Sequence, residues 1–182
     1  MKKLLFSTTL FICSNLAFAQ KFFTKNGNIS FFSKTTVENI QADNNQVMSV
    51  LNATTGELQF SLLIKGFHFK KALMEEHFNE NYLESDQFPK ATFKGIIADF
   101  NKVNFSKDGA YPVVVSGDLN MHGITNKINS KGNIIIKEGT ITGSSVFIVP
   151  LADYKIVVPA LVESKISKTI EIKINCLYDQ KM

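Results

Sequence analysis

Hydrophobic and polar residues alternate along most of the chain, which is the period of a β-strand. The clearest run covers residues 57–64, where Leu58, Phe60, Leu62 and Ile64 fall on one face. Comparable runs predict strands at residues 29–33, 47–51, 92–100, 113–121, 134–136, 145–149 and 167–177. About eight short strands at this spacing are typical of an antiparallel barrel or sandwich.

Glycine-containing pairs lie between several of these runs and predict turns, because glycine adopts a positive φ without steric cost. The predicted turns are at residues 55–56, 108–109, 131–133 and 138–139. If the strands close into a barrel, their apolar faces line an interior that is either filled by side chains or able to hold one small apolar ligand. The pattern therefore predicts an all-β fold with a phenylalanine-rich and aliphatic interior.

One segment, residues 70–85, departs from the alternation. It is rich in Ala, Leu, Met and Glu and contains no Gly or Pro, and its apolar side chains recur at helical spacing. These features predict a short helix or two that end before Phe88-Pro89. Within this segment, Glu76, Glu80 and Glu84 are four residues apart, which predicts an acidic helix face turned to solvent.

The first nineteen residues have the pattern of a secretory signal peptide. Lys2 and Lys3 precede an uncharged, mostly apolar stretch at residues 4–16, and Ala17-Phe18-Ala19 forms a small-x-small cleavage site. The apolar stretch is shorter than the roughly 20 residues that span a bilayer, so no stable membrane anchor is expected. We therefore predict cleavage after Ala19, a single mature domain at residues 20–182 and a periplasmic or secreted location.

Removal of this segment changes the charge and the cysteine content. The whole chain carries a net charge of +4, has 16 Phe and no Trp, and every basic residue in it is Lys. Loss of Lys2 and Lys3 lowers the net charge to +2, and with no Arg available we expect no nucleic-acid partner. Cys176 is the one cysteine in residues 20–182, and its alternating apolar segment predicts a buried, unreactive thiol.

No catalytic signature is found in the sequence. The motifs H-E-x-x-H, C-x-x-C and G-x-S-x-G and a Gly-rich phosphate loop are all missing. The three histidines, His68, His77 and His122, are predicted to be surface or hydrogen-bonded side chains. The sequence thus predicts a protein that is not an enzyme, with no catalytic residue, metal site or cofactor. A metal-dependent or redox enzyme that combines these histidines with the acidic helix is the alternative.

Two motifs that follow each other along the chain resemble those of a known family. Residues 67–85 read FHFKKALMEEHFNENYLES and are followed by FPKATF at 88–93, which resembles the helical insert and strand start of the YceI-like family of secreted bacterial proteins. Residues 117–125 read GDLNMHGIT, which is similar to the family's Gly-x-Leu-x-x-x-Gly-[Val/Ile]-Thr hairpin. The chain departs from the family at residues 153–156, where Asp-Tyr-Lys-Ile replaces the Asp-Phe-Gly often seen there.

The resemblance implies an eight-stranded antiparallel lipocalin-like barrel with a short helical insert. In this family the apolar interior can hold a polyisoprenoid or another long lipid, and the family is not known for one defined reaction. The predicted function is therefore a periplasmic or secreted carrier whose partner is an apolar lipid, such as a polyisoprenoid or isoprenoid quinone. A homodimer is left open, because a long polyprenyl chain would overfill a small barrel. The alternative is a structural or stress-related barrel with a solid core.

The candidate ligand-binding residues combine the apolar strand faces with the helical insert. Three residues of the insert, Leu73, Met74 and Phe78, are predicted to form a flexible lid, since methionine adapts to an irregular chain. The remaining candidates are predicted to line the pocket, and they are Phe60, Leu62, Ile64, Phe67, Phe69, Phe93, Ile97, Leu119, Met121 and Phe147.

Overall fold

Ten β-strands are found in the part of the chain that the structure, a computed structural model, describes, which is residues 20–181. The predicted signal peptide at residues 1–19 lies outside the described residues. The strands are β1 (Lys21–Lys34), β2 (Asn39–Asn52), β3 (Glu57–Leu63), β4 (His68–Phe69), β5 (Lys90–Ala98), β6 (Gly109–Met121), β7 (Ile124–Lys137), β8 (Thr140–Pro150), β9 (Thr169–Tyr178) and β10 (Gln180–Lys181).

Helical structure is confined to short segments between the strands. The predicted helical insert is confirmed as α1 (Ala72–His77), which continues into a π-helical turn at Phe78–Tyr82. Single turns of 3-10 helix are found at Ile64–Gly66, Phe100–Lys102, Leu151–Tyr154 and Ala160–Val162.

Eight of the strands form a closed antiparallel barrel. Their order around the barrel is β1-β9-β8-β7-β6-β5-β3-β2, and pairing of β2 with β1 completes the circle. The two-residue strands β4 and β10 extend the pairing of β2 and β1. The predicted all-β, eight-stranded antiparallel barrel is therefore confirmed.

The first two strands are longer than predicted. Each has 14 residues, whereas the alternation predicted 29–33 and 47–51. The register of β1 against β2 shifts on both sides of Gly27, so β1 contains a bulge where a polar, turn-like stretch interrupts the alternation. A Cβ atom on Gly27 would lie 2.5 Å from the Cys176 Sγ atom, so glycine at the bulge leaves the space that this buried side chain occupies.

The turn predicted at residues 131–133 is wrong, because Gly132 lies inside β7. A Cβ atom at Gly132 would lie 2.6 Å from the Ser144 carbonyl oxygen of β8. Glycine is needed here for the close approach of a neighbouring strand rather than for a turn. The turns predicted at residues 55–56 and 138–139 are confirmed, with φ of +77° at Gly56 and +76° at Gly139.

The buried apolar side chains form two clusters, one at each end of the barrel. We call the end covered by α1 the helix end and the other the closed end. The closed-end cluster contains Phe22, Leu51, Leu58, Ile97, Val103, Ile134, Ile136, Ile141, Cys176 and Tyr178. The helix-end cluster includes Phe31, Leu62, Ile64, Phe67, Leu83, Val149, Tyr154, Ile156 and Ile170.

Candidate functional site

A cavity of about 570 Å³ occupies the interior of the barrel. All eight barrel strands contribute to its wall, together with α1 and the segment between β8 and β9. The volume lies within the range of about 300–1,000 Å³ that is typical of small-molecule pockets. The interior is therefore not the solid core that the structural-barrel alternative requires.

The structure places all thirteen predicted ligand-binding residues on the wall of this cavity. Those on strands lie on inward-facing positions, as Phe93 and Ile97 do on β5, where they alternate with exposed Lys94 and Ile96. The alternation thus identified the correct face of each strand. Direct contact of these residues with a ligand stays a prediction.

The cavity wall also contains residues that were not among the ligand-binding candidates predicted from the sequence. Several lie on inward positions of β1, β7 and β9, and these are Ile29, Phe31, Ile128, Ile134, Ile170, Ile172 and Ile174. The period-two alternation marks the positions on β1 and β9, so that signal was available in the sequence. Ile156, Val162 and Ile166 belong to an irregular segment, in which no periodic pattern could indicate that they face the cavity.

Four phenylalanine rings connect the helical insert to the barrel wall. The ring of Phe78 stacks on Phe31 of β1 at a centroid distance of 5.3 Å. Phe67 and Phe69 lie 5.6 Å and 5.1 Å from Phe78, and each lies 5.5 Å from Phe31. Aromatic pairs at these distances add to the stability that apolar burial provides, so the rings hold the insert over the cavity.

Two pairs of hydroxyl groups inside the barrel are hydrogen-bonded to each other. The Tyr178 and Ser49 hydroxyls form a buried hydrogen bond of 2.8 Å, and Ser49 Oγ also lies 3.1 Å from the Gln59 carbonyl oxygen. Burial raises the pKa of Tyr178 well above its ordinary value. The Ser130 and Ser145 hydroxyls of β7 and β8 bond to each other at 2.5 Å, with Ser145 facing Gly132 across the two strands. Because these groups are already satisfied, the cavity presents a mainly apolar surface to a ligand.

Aromatic residues fill the closed end of the barrel. Phe22 stacks on Phe105 with ring centroids 6.2 Å apart, and Phe100 lies 5.5 Å from Phe105. Val103, in the same segment between β5 and β6, is buried. A chain that enters the cavity therefore meets packed side chains at this end.

The cavity reaches the surface at the helix end. Leu73 of α1 lines the cavity while 60% of its surface is exposed. Glu38, Lys71 and Lys165 also contribute to the wall there, and Lys71 Nζ lies 3.1 Å from Glu38 Oε1. Charged groups thus surround the opening, whereas the deeper wall is apolar.

His122 attaches the end of the helical insert to the barrel. Its Nε2 atom lies 2.8 Å from Glu84 Oε2 and its Nδ1 atom lies 2.8 Å from the Tyr154 carbonyl oxygen.

The predicted solvent-facing row of Glu76, Glu80 and Glu84 is wrong for Glu84. The helical turns end at Tyr82, and Glu84 has a φ of +43°, which turns its carboxylate toward the β6–β7 hairpin.

In the part of the chain that the structure describes, the titratable side chains are distributed without a metal-binding arrangement. Among residues 20–181, no group of three or more His, Cys, Asp and Glu side chains could hold a metal ion. His68 lies 3.6 Å from Glu75, and His77 lines the cavity near its opening. Burial raises the pKa of the Cys176 thiol to about 12, so this thiol is protonated at neutral pH.

In the described residues, 20–181, there is no helix whose length and apolar content would allow it to cross a membrane.

Structural comparison relates the barrel to three bacterial proteins of low sequence identity. The first is a polyisoprenoid binding domain from Saccharophagus degradans implicated in plant cell wall breakdown, with 17% identity, a TM-score of 0.74 and coverage of 88% of this chain and 97% of that one. BcnA from Burkholderia cenocepacia has 15% identity, a TM-score of 0.67 and coverage of 82% and 94%. The Campylobacter jejuni YCEI protein has 13% identity, a TM-score of 0.59 and coverage of 98% and 99%.

Sequence comparison gives the family. No curated protein matches the chain. The family profile for the YceI-like domain matches residues 14–177, which is most of the chain. The chain therefore belongs to the YceI-like family.

Proposed function

We propose that the protein carries a long apolar lipid, such as a polyisoprenoid or an isoprenoid quinone, inside the barrel. The observation that carries this proposal is the cavity of about 570 Å³, whose wall is formed mainly by apolar side chains and includes two bonded pairs of hydroxyls. The Saccharophagus degradans protein of the same fold is a polyisoprenoid binding domain, which supports the same class of ligand here. We propose binding rather than catalysis, since the residues deep in the cavity offer apolar contact and few free polar groups.

The physical basis of binding is the removal of apolar surface from water. Each square ångström of apolar surface that is buried contributes about 25 cal/mol, before the cost of ordering the ligand. Such burial gives a negative heat-capacity change on binding. The cavity is closed at the aromatic end and reaches the surface at the helix end, so the tail would enter first, with any polar head group near Lys71 and Lys165.

The experiment compares lipid binding by two matched tryptophan variants. Leu119 of β6 lines the cavity, whereas its neighbour Asp118 is exposed. Native mass spectrometry and solvent extraction of purified protein should recover an isoprenoid lipid from the wild type and from Asp118→Trp, but much less from Leu119→Trp, because its indole ring fills part of the cavity. Failure of the wild type to retain or take up any isoprenoid lipid would refute the proposal.

We also propose that the carrier works in the periplasm or is secreted. The support is the N-terminal pattern, in which two lysines, an apolar stretch and Ala17-Phe18-Ala19 follow in the order of a signal peptide. Cell fractionation and N-terminal analysis of the exported protein test this. We expect Gln20 as the first residue, and an uncleaved protein that stays in the cytoplasm would contradict it.

A further inference from the structure

The most exposed large apolar side chains lie around the opening of the cavity. Val37, Leu73, Val157 and Leu161, which we call the rim residues, are 59%, 60%, 75% and 95% exposed. Among residues 20–181, the other exposed large apolar side chains lie on barrel strands, and their exposed fractions are lower, from 44% at Val114 and Ile135 to 55% at Ile148. The four rim residues belong to three separate segments, so the apolar surface is assembled by the fold.

These three segments meet at the opening. Val37 precedes Glu38 in the turn between β1 and β2, and the Glu38–Lys71 ion pair joins this turn to the start of α1. Val157 and Leu161 lie between Ile156 and Val162, both of which line the cavity. The Ser167 amide donates a hydrogen bond of 2.8 Å to Ser33 Oγ, which fixes the end of this segment against β1.

The segments that carry the rim residues are also rich in lysine. Segments 34–38, 70–76 and 155–168 contain six lysines and four glutamates, which gives +2. Exposed apolar side chains among lysines are the composition of surfaces that insert into the interface of an anionic bilayer.

From this arrangement we infer that the rim is a membrane-docking surface, through which the barrel contacts an anionic lipid bilayer and exchanges its ligand. The inference rests on the proposed lipid-carrier function and adds the place where ligand enters. A bilayer fits better than a second copy of the chain. The rim residues border the opening through which the ligand passes, and the lysines of two rims would repel each other across a dimer interface.

A tryptophan at Leu161 tests the docking directly, because the natural chain has no Trp and the new indole is the single reporter. The matched control is Leu177→Trp, on the outer face of β9 near the closed end. With vesicles of phosphatidylglycerol and phosphatidylcholine in equal parts, Leu161→Trp should show a blue shift and quenching by brominated acyl chains, and Leu177→Trp neither. The response should weaken in high salt and with phosphatidylcholine alone.

Two outcomes of this test would overturn the inference. One is that the two variants show the same blue shift and quenching with anionic vesicles, or that neither variant shows any. The other is a Leu161→Trp shift that depends on protein concentration without vesicles, which would identify the rim as a contact between copies of this chain.

A double variant separates docking from ligand binding. Val157 and Leu161 do not line the cavity, so Val157→Asp with Leu161→Asp should leave the affinity for a detergent-solubilised fluorescent isoprenoid unchanged. Uptake of the same probe from the anionic vesicles should slow by about tenfold or more, since two apolar contacts with the bilayer are lost. Normal uptake from vesicles by the double variant would refute docking. If the wild type docks on vesicles but takes up the probe neither from detergent nor from vesicles, the carrier function is refuted instead.

Discussion

Cys176 lies at the closed end of the barrel with no exposed surface. Its burial raises the thiol pKa from an ordinary 9.0 to about 12, and the neighbouring Tyr178 is shifted in the same direction. The thiol of the unfolded chain therefore loses its proton at a lower pH than the thiol of the folded chain. Between these two values the unfolded state binds fewer protons, so the free energy of unfolding falls as pH rises.

We predict that Cys176 makes the protein sensitive to alkali. From pH 9 to 11 the single thiol should lower the free energy of unfolding by about 1.4 kcal/mol per pH unit. Urea unfolding of wild type and Cys176→Ala across this range measures the effect, and the variant should lose less stability on the alkaline side. If the free energy of unfolding falls equally with pH in the wild type and in Cys176→Ala, the prediction is contradicted. At pH 7 the folded wild type should not react with a thiol reagent.

Lys155 takes the place of the glycine in the Asp-Phe-Gly pattern often seen in the family. It follows the 3-10 turn at Leu151–Tyr154 and has a φ of +54°, a conformation that glycine adopts without strain. Its backbone amide donates a 3.1 Å hydrogen bond to the Ala152 carbonyl oxygen. The backbone therefore keeps the conformation that glycine favours, although the residue has changed.

We predict that Lys155→Gly stabilises the protein by about 0.5–1 kcal/mol, because it removes the strain of a left-handed conformation at an exposed site. Urea unfolding at neutral pH measures the gain, and the slope of the free energy of unfolding against urea concentration should stay unchanged. Lys165→Gly in the same segment is the control, since Lys165 is not among the residues with positive φ, and it should give no gain. A loss of stability in Lys155→Gly would show that the side chain matters more than the backbone.

At the level of single elements, Phe93 of β5 lies across a pair of facing glycines. Gly95 pairs with Gly117 of β6, and a Cβ atom on Gly95 would lie 2.5 Å from the tip of the Phe93 ring. A Cβ atom on Gly117 would overlap backbone atoms of Lys94 and Gly95. The two strands can therefore approach, and the ring can lie against the wall, only because both positions lack a side chain.

We predict that Gly117→Ala destabilises the barrel by about 1–3 kcal/mol, the range for overpacking a buried site. Gly109→Ala on the same strand is the control, because its Cβ atom would meet its nearest neighbour, Tyr111, at an ordinary 3.4 Å. Thermal unfolding of both variants measures the difference. Equal stability of the two would mean that the strands separate easily at this point.

The sequence predicted elements best where inward positions are apolar. In β9, Ile170, Ile172 and Ile174 alternate with charged or polar residues, and the predicted strand agrees with the structure. In β7, the inward positions at Asn126 and Ser130 are polar, so the alternation indicated only the last part of a 14-residue strand. The polar residue at position 126 serves a tertiary contact, since the Asn126 side-chain amide donates a hydrogen bond to the Asp153 carbonyl oxygen. No local pattern in the sequence contains this contact between distant segments.

The candidate site was predictable to a similar extent. Inward strand positions and the insert pointed to thirteen residues that line the cavity, because the alternation of faces along a strand and the spacing along a helix are local properties. The wall residues Ile156, Val162 and Ile166 come from an irregular segment, whose end is held by the hydrogen bond from Ser167 to Ser33 of β1. The cavity volume could not be predicted, since it depends on how tightly the eight strands close.

For the molecule as a whole, the closed end and the volume limit how much lipid the barrel can enclose. Phe22, Phe100 and Phe105 block one end, and the cavity holds about 570 Å³. Any part of a longer chain must therefore leave through the helix end, past Leu73 and the other rim residues. A homodimer, which the sequence leaves open, would place a second barrel where it receives that part.

We predict that isoprenoid quinones of increasing tail length stabilise the protein up to a limit. A ligand at about 100 times its dissociation constant adds about 2.7 kcal/mol, which raises the melting temperature of a domain of this size by roughly 5–10 °C. Each added isoprene unit should increase the affinity until the cavity is full, and further units should add little, because they remain in water or contact only the rim.

Leu119→Trp should reach this limit at a shorter tail than Asp118→Trp, since only the first occupies cavity volume. Thermal shift and calorimetry with the quinone series measure the limit, and mass measurement in solution with the longest quinone detects pairing of barrels. Affinity that rises without limit in a monomer would mean that the closed end opens to let the chain pass.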